Sequence, residues 1–299
     1  MKYLIGIDAG GTKSELVAYD LNGSAIFTKI GGAGNPAVNL KNTVNNITSL
    51  IGGCTGELGK EECSLISIGM ASVETGNYAE LIKRYVERDF GIETAVLNDA
   101  EMACMAYFGG DDGILAIAGT GSSCYVQKDG QGQMVGGWGH ILGDEGSGYH
   151  IVMEAFKNIV YEIDRNIVLN DLSIKLLHEI GGSSRSEIMK FIYNNEKSDI
   201  AALFPVIVRA AEDGDLHSAA LLDKAGKELA ELTMAAYAKK GFSGHIAIGI
   251  KGGVFHNSTI IRKTYINELE KNLKSLHIIE ENISATRAVL YLYGKSKKI

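Results

Sequence analysis

The sequence predicts an α/β protein with two similar domains, each a mixed sheet led by a β-meander and flanked by helices. Two observations carry this prediction. A pattern of strand, glycine-rich turn, strand, turn and strand occurs twice, because residues 8–23 resemble residues 117–132 along their whole length. Apolar strand-like runs then alternate with helical patterns through the first half of the chain, which is typical of α/β domains.

The composition indicates a globular protein. The chain has 299 residues, of which 45% are hydrophobic and 22% charged, a length that suits two domains. A net charge of −7 without a large Lys/Arg cluster argues against nucleic acid as a partner. The apolar runs are too short for a membrane span, and Asp8 interrupts the opening segment before a signal-peptide core could form. We therefore expect a cytoplasmic protein, and a homodimer because dimers are the commonest oligomers.

The spacing of the four cysteines offers no metal site. Cys54, Cys63, Cys104 and Cys124 form no C-x-x-C pair, and no histidine lies at the spacing of a zinc ligand. We expect reduced and mostly buried thiols.

The first meander is predicted from three apolar, strand-like runs at residues 2–8, 14–20 and 24–30. The glycine turn joins the first two runs, and Asn22-Gly23 predicts the hairpin that joins the last two. The elements expected after this meander are helices over 39–51, 78–90 and 99–108 and strands over 64–71 and 94–98.

The second half is predicted as a larger α/β domain, with domains over residues 1–111 and 112–284. After the second meander the chain becomes helical. The helix signals are Ser147 as the cap of a helix to about Asp164, a capping box at Ser184, Pro205 as a kink or start, and a long amphipathic run over 216–240. A buried strand over 245–250 precedes a third glycine turn.

The first glycine turn has the residue types of a phosphate-binding loop, namely Gly10, Gly11, Thr12 and Lys13. Glycines let backbone N–H groups approach phosphate oxygens, the threonine adds a hydroxyl, and the lysine adds charge. Asp8 would repel a phosphate, so a Mg²⁺ ion bound through water would explain it. The repeat has Ile117 at the matching position, which predicts the metal at the first turn alone. The motif also fits a plain tight hairpin.

Two later turns could complete a nucleotide site. Gly119 and Thr120, in the second meander, could bind phosphates from the other side of a cleft. Gly252, Gly253 and Asn257 follow a buried strand, where glycine would let adenine or ribose approach the backbone. A plain strand-to-helix turn explains this third motif equally well.

Asp99 is the candidate general base. It follows Asn98 at the point where a predicted strand ends and a helix begins. A carboxylate here could take the proton of a sugar hydroxyl as the hydroxyl attacks the γ-phosphate. The alternative is that Asn98 or Asp99 caps the helix.

Residues 136–151 form a loop dense in glycine, which suggests ligand contact more than folding needs. Asp144 could bind sugar hydroxyls or the metal. Trp138 could stack on a sugar ring or lie in the core. Asn35, after the third strand, is either a turn residue or a hydrogen-bonding partner for vicinal hydroxyls.

Together these motifs resemble the sugar kinases of the actin-like superfamily, and within it the N-acetylglucosamine kinase branch of the BadF/BadG-type ATPases. The likeness covers nearly the whole chain and is most specific in "GTGSSC" (119–124) and in residues 136–151. It implies two ribonuclease H-like domains that close on substrate across a cleft. It also implies phosphorylation of an N-acetylated amino sugar at its 6-hydroxyl by ATP and Mg²⁺. N-acetylglucosamine is the expected substrate, N-acetylmuramic acid is a further candidate, and glucosamine is the alternative.

The resemblance implies roles for individual residues. Asp99 matches the catalytic base, Thr12 and Thr120 the nucleotide-phosphate contacts, and Asp8 the carboxylate near the metal. Gly252 and Gly253 match the adenosine turn. The positions that match sugar contacts are Asn35, Asp99, Ser122, Ser123, Gly137, Trp138, Gly139, His140, Ile141 and Asp144. The last helix of the family, here about 285–299, crosses back onto the first domain, although residues 283–290 lack the expected small-residue pattern.

Two other functions are weighed against this one. An ATPase of the same group that activates a dehydratase or reductase would bind an iron–sulfur cluster between paired cysteines of a dimer, an arrangement that these cysteines lack. A sugar-sensing repressor would need a DNA-binding extension, whereas the first strand begins near residue 3 and the chain is acidic.

Overall fold

The computed structural model describes residues 1–73 and 76–296. The chain divides into two compact units. The first comprises Met1–Leu115, Gln127–Gly132 and the chain from Ile283 onward, and the second comprises Ala116–Val126 and Gln133–Asn282. The last three residues of the helix predicted over 285–299 lie outside the described part of the chain.

The first unit contains a five-stranded sheet in the order β3-β2-β1-β4-β5. Its strands are β1 (Tyr3–Ala9), β2 (Ser14–Asp20), β3 (Ala25–Gly31), β4 (Cys63–Met70) and β5 (Thr94–Asn98). The first three form the predicted antiparallel meander, whereas β4 and β5 run parallel to β1. Its helices are α1 (Pro36–Leu58), α2 (Tyr78–Phe90), α3 (Asp99–Phe108) and, near the end of the chain, α12 (Ala288–Ser296).

The hairpin predicted at Asn22-Gly23 joins β2 to β3. Gly23 has a φ of 86°, a left-handed conformation that glycine adopts readily. The Asp20 carboxylate accepts hydrogen bonds from the N–H groups of Asn22 at 2.9 Å and Ser24 at 2.8 Å. The sequence therefore predicted both the turn and its position.

Both faces of the first sheet are covered. Alternate β1 residues such as Ile5 and Ile7 pack in the main core with Ile47 and Ile51 of α1. On the opposite face, Leu4 packs with Val289 of α12. Because β1 is buried on both sides, it reads as a continuous apolar run.

The chain before α12 approaches β1 at a glycine. A Cβ atom on Gly6 would lie 2.0 Å from the carbonyl oxygen of Thr286, so only glycine permits this contact. Ala285 and Ala288 are buried beside it. The close approach thus depends on the missing side chain of Gly6.

Helix α1 is longer than the predicted 39–51. It begins at Pro36 and leaves helical geometry at Asn39, where φ is −157° and ψ is 94°. It continues past Gly52 and Gly53 because Cys54 and Thr55 extend its buried face. Burial here outweighs the low helix propensity of glycine.

The second unit has a five-stranded sheet in the order β10-β9-β6-β7-β8. Its strands are β6 (Gly113–Ala118), β7 (Ser122–Lys128), β8 (Gln131–Gly136), β9 (Ile246–Lys251) and β10 (Leu276–Ile279). Read from the opposite edge, this is the order of the first sheet, with a meander followed by two further strands. The repeat in the sequence is therefore a repeat of topology.

Helices make up most of the second unit. They are α4 (Gly148–Asp164), α5 (Asp171–Glu179), α6 (Arg185–Asn194), α7 (Lys197–Ala201), α8 (Phe204–Glu212), α9 (Leu216–Lys239), α10 (Gly253–Asn257) and α11 (Thr259–Asn272). The predicted signals hold: Ser147 caps α4, Ser184 forms a capping box with Glu187, and Pro205 lies in the first turn of α8 and begins that helix without kinking it. No helix in the described part of the chain is both long and apolar enough for a membrane span.

Candidate active site

The first glycine turn connects β1 to β2 and is held by backbone hydrogen bonds. The N–H of Gly10 donates to the carbonyl of Lys13 at 2.9 Å, and the N–H of Gly34 donates to the carbonyl of Gly10 at 2.8 Å. A Cβ atom on Gly34 would lie 2.5 Å from the Cβ of Ala9, so this glycine is required by packing. The segment before α1 is thereby fixed against the turn.

Asn35 follows Gly34 and caps α1. Its Oδ1 accepts a hydrogen bond from the N–H of Ala37 at 3.0 Å, which is the turn-type role considered from the sequence. The side-chain amide group remains available as a donor, because capping uses the oxygen. Asn35 is thus held beside the glycine turn, where Thr12 and Lys13 are exposed.

Asp8 and Asp99 lie at the same edge of the first sheet. The register of the parallel strands pairs Ala9 with Met70 and Met70 with Asn98, so β1 and β5 end level with each other. Two strand spacings separate their backbones, about 10 Å. A phosphoryl group and a hydroxyl could be accommodated over such a span.

Asp99 is the first residue of α3, and Asn98 is its N-cap. Asn98 Oδ1 accepts from the N–H groups of Ala100 at 2.9 Å and Glu101 at 3.4 Å. Asp99 Oδ1 also lies 2.9 Å from the N–H of Ala100. Asp99 is half-buried, and capping of α3 does not depend on it alone.

The residues at this edge fit a magnesium ion that is bound largely by water and phosphate. Magnesium sites beside phosphates commonly use one or two carboxylates. Asp8 is half-buried, and its neighbour in register on β4 is Gly69, which has no side chain. No cluster of three or more potential ligands among His, Cys, Asp and Glu occurs in the residues that the structure describes. An all-protein metal cage is therefore not the kind of site present there.

The second glycine turn is one residue shorter than the first but has a similar pair of backbone hydrogen bonds. The N–H of Gly119 donates to the carbonyl of Gly121 at 2.9 Å, and the N–H of Gly148 donates to the carbonyl of Gly119 at 2.8 Å. Gly148 is the first residue of α4, so the turn lies directly against the start of that helix. A Cβ atom on Gly119 would meet no atom within 4 Å, which leaves space above this residue.

A cavity of about 330 Å³ in the second unit brings predicted nucleotide-binding residues together. Gly119 and Thr120 line it from the second turn, and Gly253 and Asn257 from α10. These pairs are far apart in the sequence. Their convergence supports a ligand pocket more strongly than any one motif.

The same cavity has residues that the motifs did not indicate. They lie on α7 and at the start of α8, namely Ser198, Ala201, Ala202, Phe204 and Pro205. The first residues of α4, α8 and α10 all contribute to the lining. Helix N-termini carry partial positive charge, so this lining suits an anionic ligand. Pro205 was the one available signal, because proline marks helix starts.

Gly252 has a role in packing. Its φ is 109°, and a Cβ atom there would lie 2.2 Å from the carbonyl oxygen of Ala118 in β6. The close approach of the third turn to the second therefore requires glycine. Gly252 brings the two turns together, while its neighbour Gly253 lines the cavity.

The loop after β8 is shaped by its glycines. Gly136, Gly137, Gly139 and Gly146 all have φ values between 71° and 82°. A Cβ atom on Gly146 would also lie 2.6 Å from Leu229. The sequence favoured ligand contact over folding needs as the reason for these glycines, but conformation and packing account for much of their number.

Trp138 lies on the surface of the described unit. Its side chain is 75% exposed and that of Ile141 is 84% exposed, so the core alternative for the tryptophan is wrong. Beside them, His140 contacts the ring of Tyr149 edge-on at 5.0 Å. The loop also packs against β7, where the N–H of Gly137 donates to the carbonyl of Ser122 at 3.2 Å and the Cβ of Ser123 lies beneath Gly137.

Asp144 is buried and paired. Its side chain is 4% exposed and forms an ion pair with Lys197 of α7 at 2.5 Å. Its other oxygen accepts from the N–H of Ser122 at 3.1 Å, and Ser122 Oγ donates to the carbonyl of Glu145 at 2.7 Å. Both carboxylate oxygens are engaged, which makes Asp144 a poor candidate for a metal ligand.

Two further features lie away from these residues. A larger cavity of about 530 Å³ lies between α5 and α8 and includes no predicted site residue.

The four cysteines are free thiols, and burial raises the pKa of each to about 12. Neutral, buried thiols are poor metal ligands, because ligation requires the thiolate.

The fold is shared with solved structures from other organisms. A solved structure from Chromobacterium violaceum, provisionally named an N-acetylglucosamine kinase, superposes with a TM-score of 0.79 over 98% of this chain and 99% of that one, at 22% identity. At this identity the likeness concerns the fold. It confirms the predicted architecture of two meander-led α/β domains.

Sequence relatives point to one family. The chain is 33% identical to the N-acetylmuramic acid/N-acetylglucosamine kinase of Clostridium acetobutylicum, over 97% of this chain and 98% of the relative. It is 26% identical to the N-acetyl-D-glucosamine kinase of Dictyostelium discoideum, with 98% of both chains covered. The BadF/BadG/BcrA/BcrD ATPase family model matches residues 5–290. The chain belongs to this family, which confirms the resemblance inferred from its motifs.

Proposed function

We propose that this protein is an ATP-dependent amino-sugar kinase that phosphorylates the 6-hydroxyl of N-acetylglucosamine and of N-acetylmuramic acid. The observation that carries the proposal is the cavity at the second glycine turn. Its lining by Gly119, Thr120, Gly253 and helix N-termini suits the phosphates and adenosine of a nucleotide. The relatives from Clostridium acetobutylicum and Dictyostelium discoideum are named as kinases of these N-acetylated sugars, which favours the same chemistry.

Asp99 is the proposed general base. Its carboxylate accepts the proton of the sugar 6-hydroxyl, and the hydroxyl oxygen forms a bond to the γ-phosphorus of ATP. The bond between that phosphorus and the β–γ bridging oxygen breaks, and ADP leaves. A positioned base typically contributes 10²- to 10⁴-fold to such a rate. The position of Asp99, at a strand end and held by a capped helix, gives the base a fixed location.

The two glycine turns are proposed to bind phosphate groups. Thr12 and Lys13 are exposed on the first turn, and Thr120 lines the cavity at the second. When bound, Mg²⁺ would neutralise phosphate charge, with Asp8 as the residue that holds it through water. Asn35, Asp144 and the loop from Gly137 to Ile141 are proposed to contact the sugar.

A substrate panel tests the function. Purified protein with ATP and Mg²⁺ is assayed by coupled ADP detection with N-acetylglucosamine, N-acetylmuramic acid, glucosamine and glucose. We expect ADP release to depend on an N-acetylated sugar and the product to carry phosphate at the 6-position. ADP release without any sugar dependence would instead favour an ATPase that activates another enzyme, and turnover of glucosamine alone would favour a glucosamine kinase.

A further inference from the structure

Lys197 pairs with a predicted sugar-contacting residue and immediately precedes Ser198, which lines the cavity at the second glycine turn. It is the first residue of α7 and its ammonium pairs with Asp144. Its side chain is 27% exposed, whereas that of Asp144 is 4% exposed. The ammonium of Lys197 therefore retains access to solvent, whereas the carboxylate of Asp144 is stabilised by its protein partners instead of by water.

The ammonium of Lys197 also lies over the second glycine turn. A Cβ atom on Gly121 would come within 2.9 Å of Lys197 Nζ and 3.1 Å of either Asp144 oxygen. The absence of a side chain at Gly121 thus lets the ion pair approach the turn. An ammonium has three donors, so it can contact Asp144 and a further anion together or in succession.

The next residue links Lys197 to the cavity. Ser198 lines the cavity with Gly119 and Thr120, and both serine and lysine belong to α7. On its other side, Lys197 Nζ lies 5.9 Å from the centroid of the Tyr149 ring. The ammonium is therefore held among the second turn, Asp144 and α4, within reach of an anion seated on the turn.

Asp144 adopts a left-handed backbone conformation beside this pair. Its φ is 68°, a value that is uncommon for residues other than glycine, although aspartate adopts it more readily than most. It is held there while its carboxylate accepts from the N–H of Ser122. Such outliers persist where the surroundings over-determine them, and they are concentrated at functional sites.

We propose that Lys197 couples nucleotide binding to sugar binding. In the free protein its ammonium neutralises Asp144. With ATP bound it contacts a β- or γ-phosphate on the second turn, and Asp144 is then free to accept a hydrogen bond from a sugar hydroxyl. The inference rests on the proposed kinase function and adds a coupling residue to it. Coupling of this kind is reciprocal, so each substrate should strengthen binding of the other by the same factor.

The test measures binding of a non-hydrolysable ATP analogue by titration calorimetry, with and without N-acetylglucosamine. We expect a coupling of at least about 5-fold in wild type and near none in Lys197→Met. Lys197→Arg should retain part of it. The matched control is Lys175→Met, which removes the lysine of an exposed ion pair with Asp213 in the same unit and should behave as wild type.

A double variant keeps the proposal testable if Lys197→Met alone does not fold. Asp144→Asn/Lys197→Met leaves no unpaired buried charge, and it should bind the ATP analogue about 10-fold more weakly while AMP affinity is unchanged. A purely structural role would weaken both nucleotides alike. Wild-type affinity for the ATP analogue in this variant would overturn the proposal and leave the kinase function standing. Failure of the wild type to bind nucleotide would overturn both.

Discussion

The two glycine turns share one framework and differ in their surroundings. In each, the first glycine donates to a carbonyl within the turn at 2.9 Å, and its own carbonyl accepts from a glycine that precedes or begins a helix at 2.8 Å. The first turn follows Asp8 and has exposed Thr12 and Lys13. The second follows Ile117 and lies against a buried ion pair and a cavity.

The difference indicates how two copies of one strand–turn–strand unit can have different surroundings. Hydrogen bonds of the main chain preserve the turn in both copies, so side chains around it are free to diverge. The first copy presents carboxylates at the edge of its sheet, the groups that a base and a cation site require. The second copy presents helix N-termini, which favour phosphate. The following changes test this division.

The largest expected effect is the loss of kcat when Asp99, in the first unit, is replaced. Asp99→Asn removes the proton acceptor but retains the shape of the side chain and the Asn98 cap. We expect kcat to fall by at least about 10²-fold, with little change in the KM for ATP. Steady-state kinetics with coupled ADP detection measure this change. Asp89→Asn, an exposed aspartate of α2, is the control. Turnover near that of wild type in Asp99→Asn would remove its assignment as base.

Glycines required by packing should be more sensitive than glycines beside open space. In Gly6→Ala and Gly252→Ala the new Cβ would lie 2.0 Å and 2.2 Å from a main-chain carbonyl oxygen, one in each unit. We expect each to lower the free energy of unfolding by more than about 2 kcal/mol, because the backbone must shift. Thermal and urea unfolding measure it.

The matched controls are Gly11→Ala and Gly119→Ala, where a Cβ meets no atom within 4 Å. They should unfold as wild type does but bind nucleotide more weakly. If the controls lose as much stability as the first pair, the distinction between packing glycines and ligand-facing glycines fails.

The metal requirement should depend on the first turn. Asp8→Asn should raise the Mg²⁺ concentration for half-maximal rate by about 10-fold, because a neutral amide is a weaker partner for hydrated cations. Glu80→Gln, which removes an exposed carboxylate of α2 in the same unit, is the control and should leave the Mg²⁺ dependence unchanged. An unchanged requirement in Asp8→Asn would assign the metal elsewhere.

The smallest effect concerns acid stability in the second unit. Hydrogen bonds from Lys157 and Lys224 lower the pKa of Glu154 from 4.5 to about 2. Its contribution to stability is therefore present above about pH 4.5 and is lost as the pH falls toward 2. Because both lysines are largely exposed, we expect Glu154→Gln to remove only about 1 kcal/mol of this pH-dependent stability.

Urea unfolding at pH 7 and at pH 3 measures that loss. Glu80→Gln removes an exposed ion pair of α2 and should have a smaller effect at both values. An equal loss of stability at pH 7 and pH 3 in Glu154→Gln would contradict the assignment of the lowered pKa.

Sequence patterns predicted the regular elements closely where local signals were strong. The strands β2 and β5 and the helices α2 and α3 have the predicted bounds, because alternation, capping residues and glycines mark their ends. Helix α1 and strand β10 were harder to predict from the sequence. Burial carries α1 through two glycines, and β10 is a four-residue strand at a sheet edge.

In the candidate active site, sequence motifs indicated the residues that share one turn. They did not indicate contacts between segments that are distant in the sequence. Thr120 was found from its glycine neighbours, whereas Ser198 and Ala201, on the opposite wall of the cavity, lie in an ordinary helical pattern. Trp138 could not be assigned to core or surface, because a single tryptophan in a loop has no periodicity.

The sequence by itself determined the repeated meanders, the glycine turns, the family and Asp99 as candidate base, since these depend on local spacing and residue type. The tertiary structure alone decided that Gly252 is a packing residue, that the cavity at the second glycine turn includes residues of α7 and α8, and that Asp144 is paired with Lys197. That pair is separated by 53 residues along the chain. Such contacts depend on how the helices pack after they form, and helix packing cannot be predicted from a local sequence pattern.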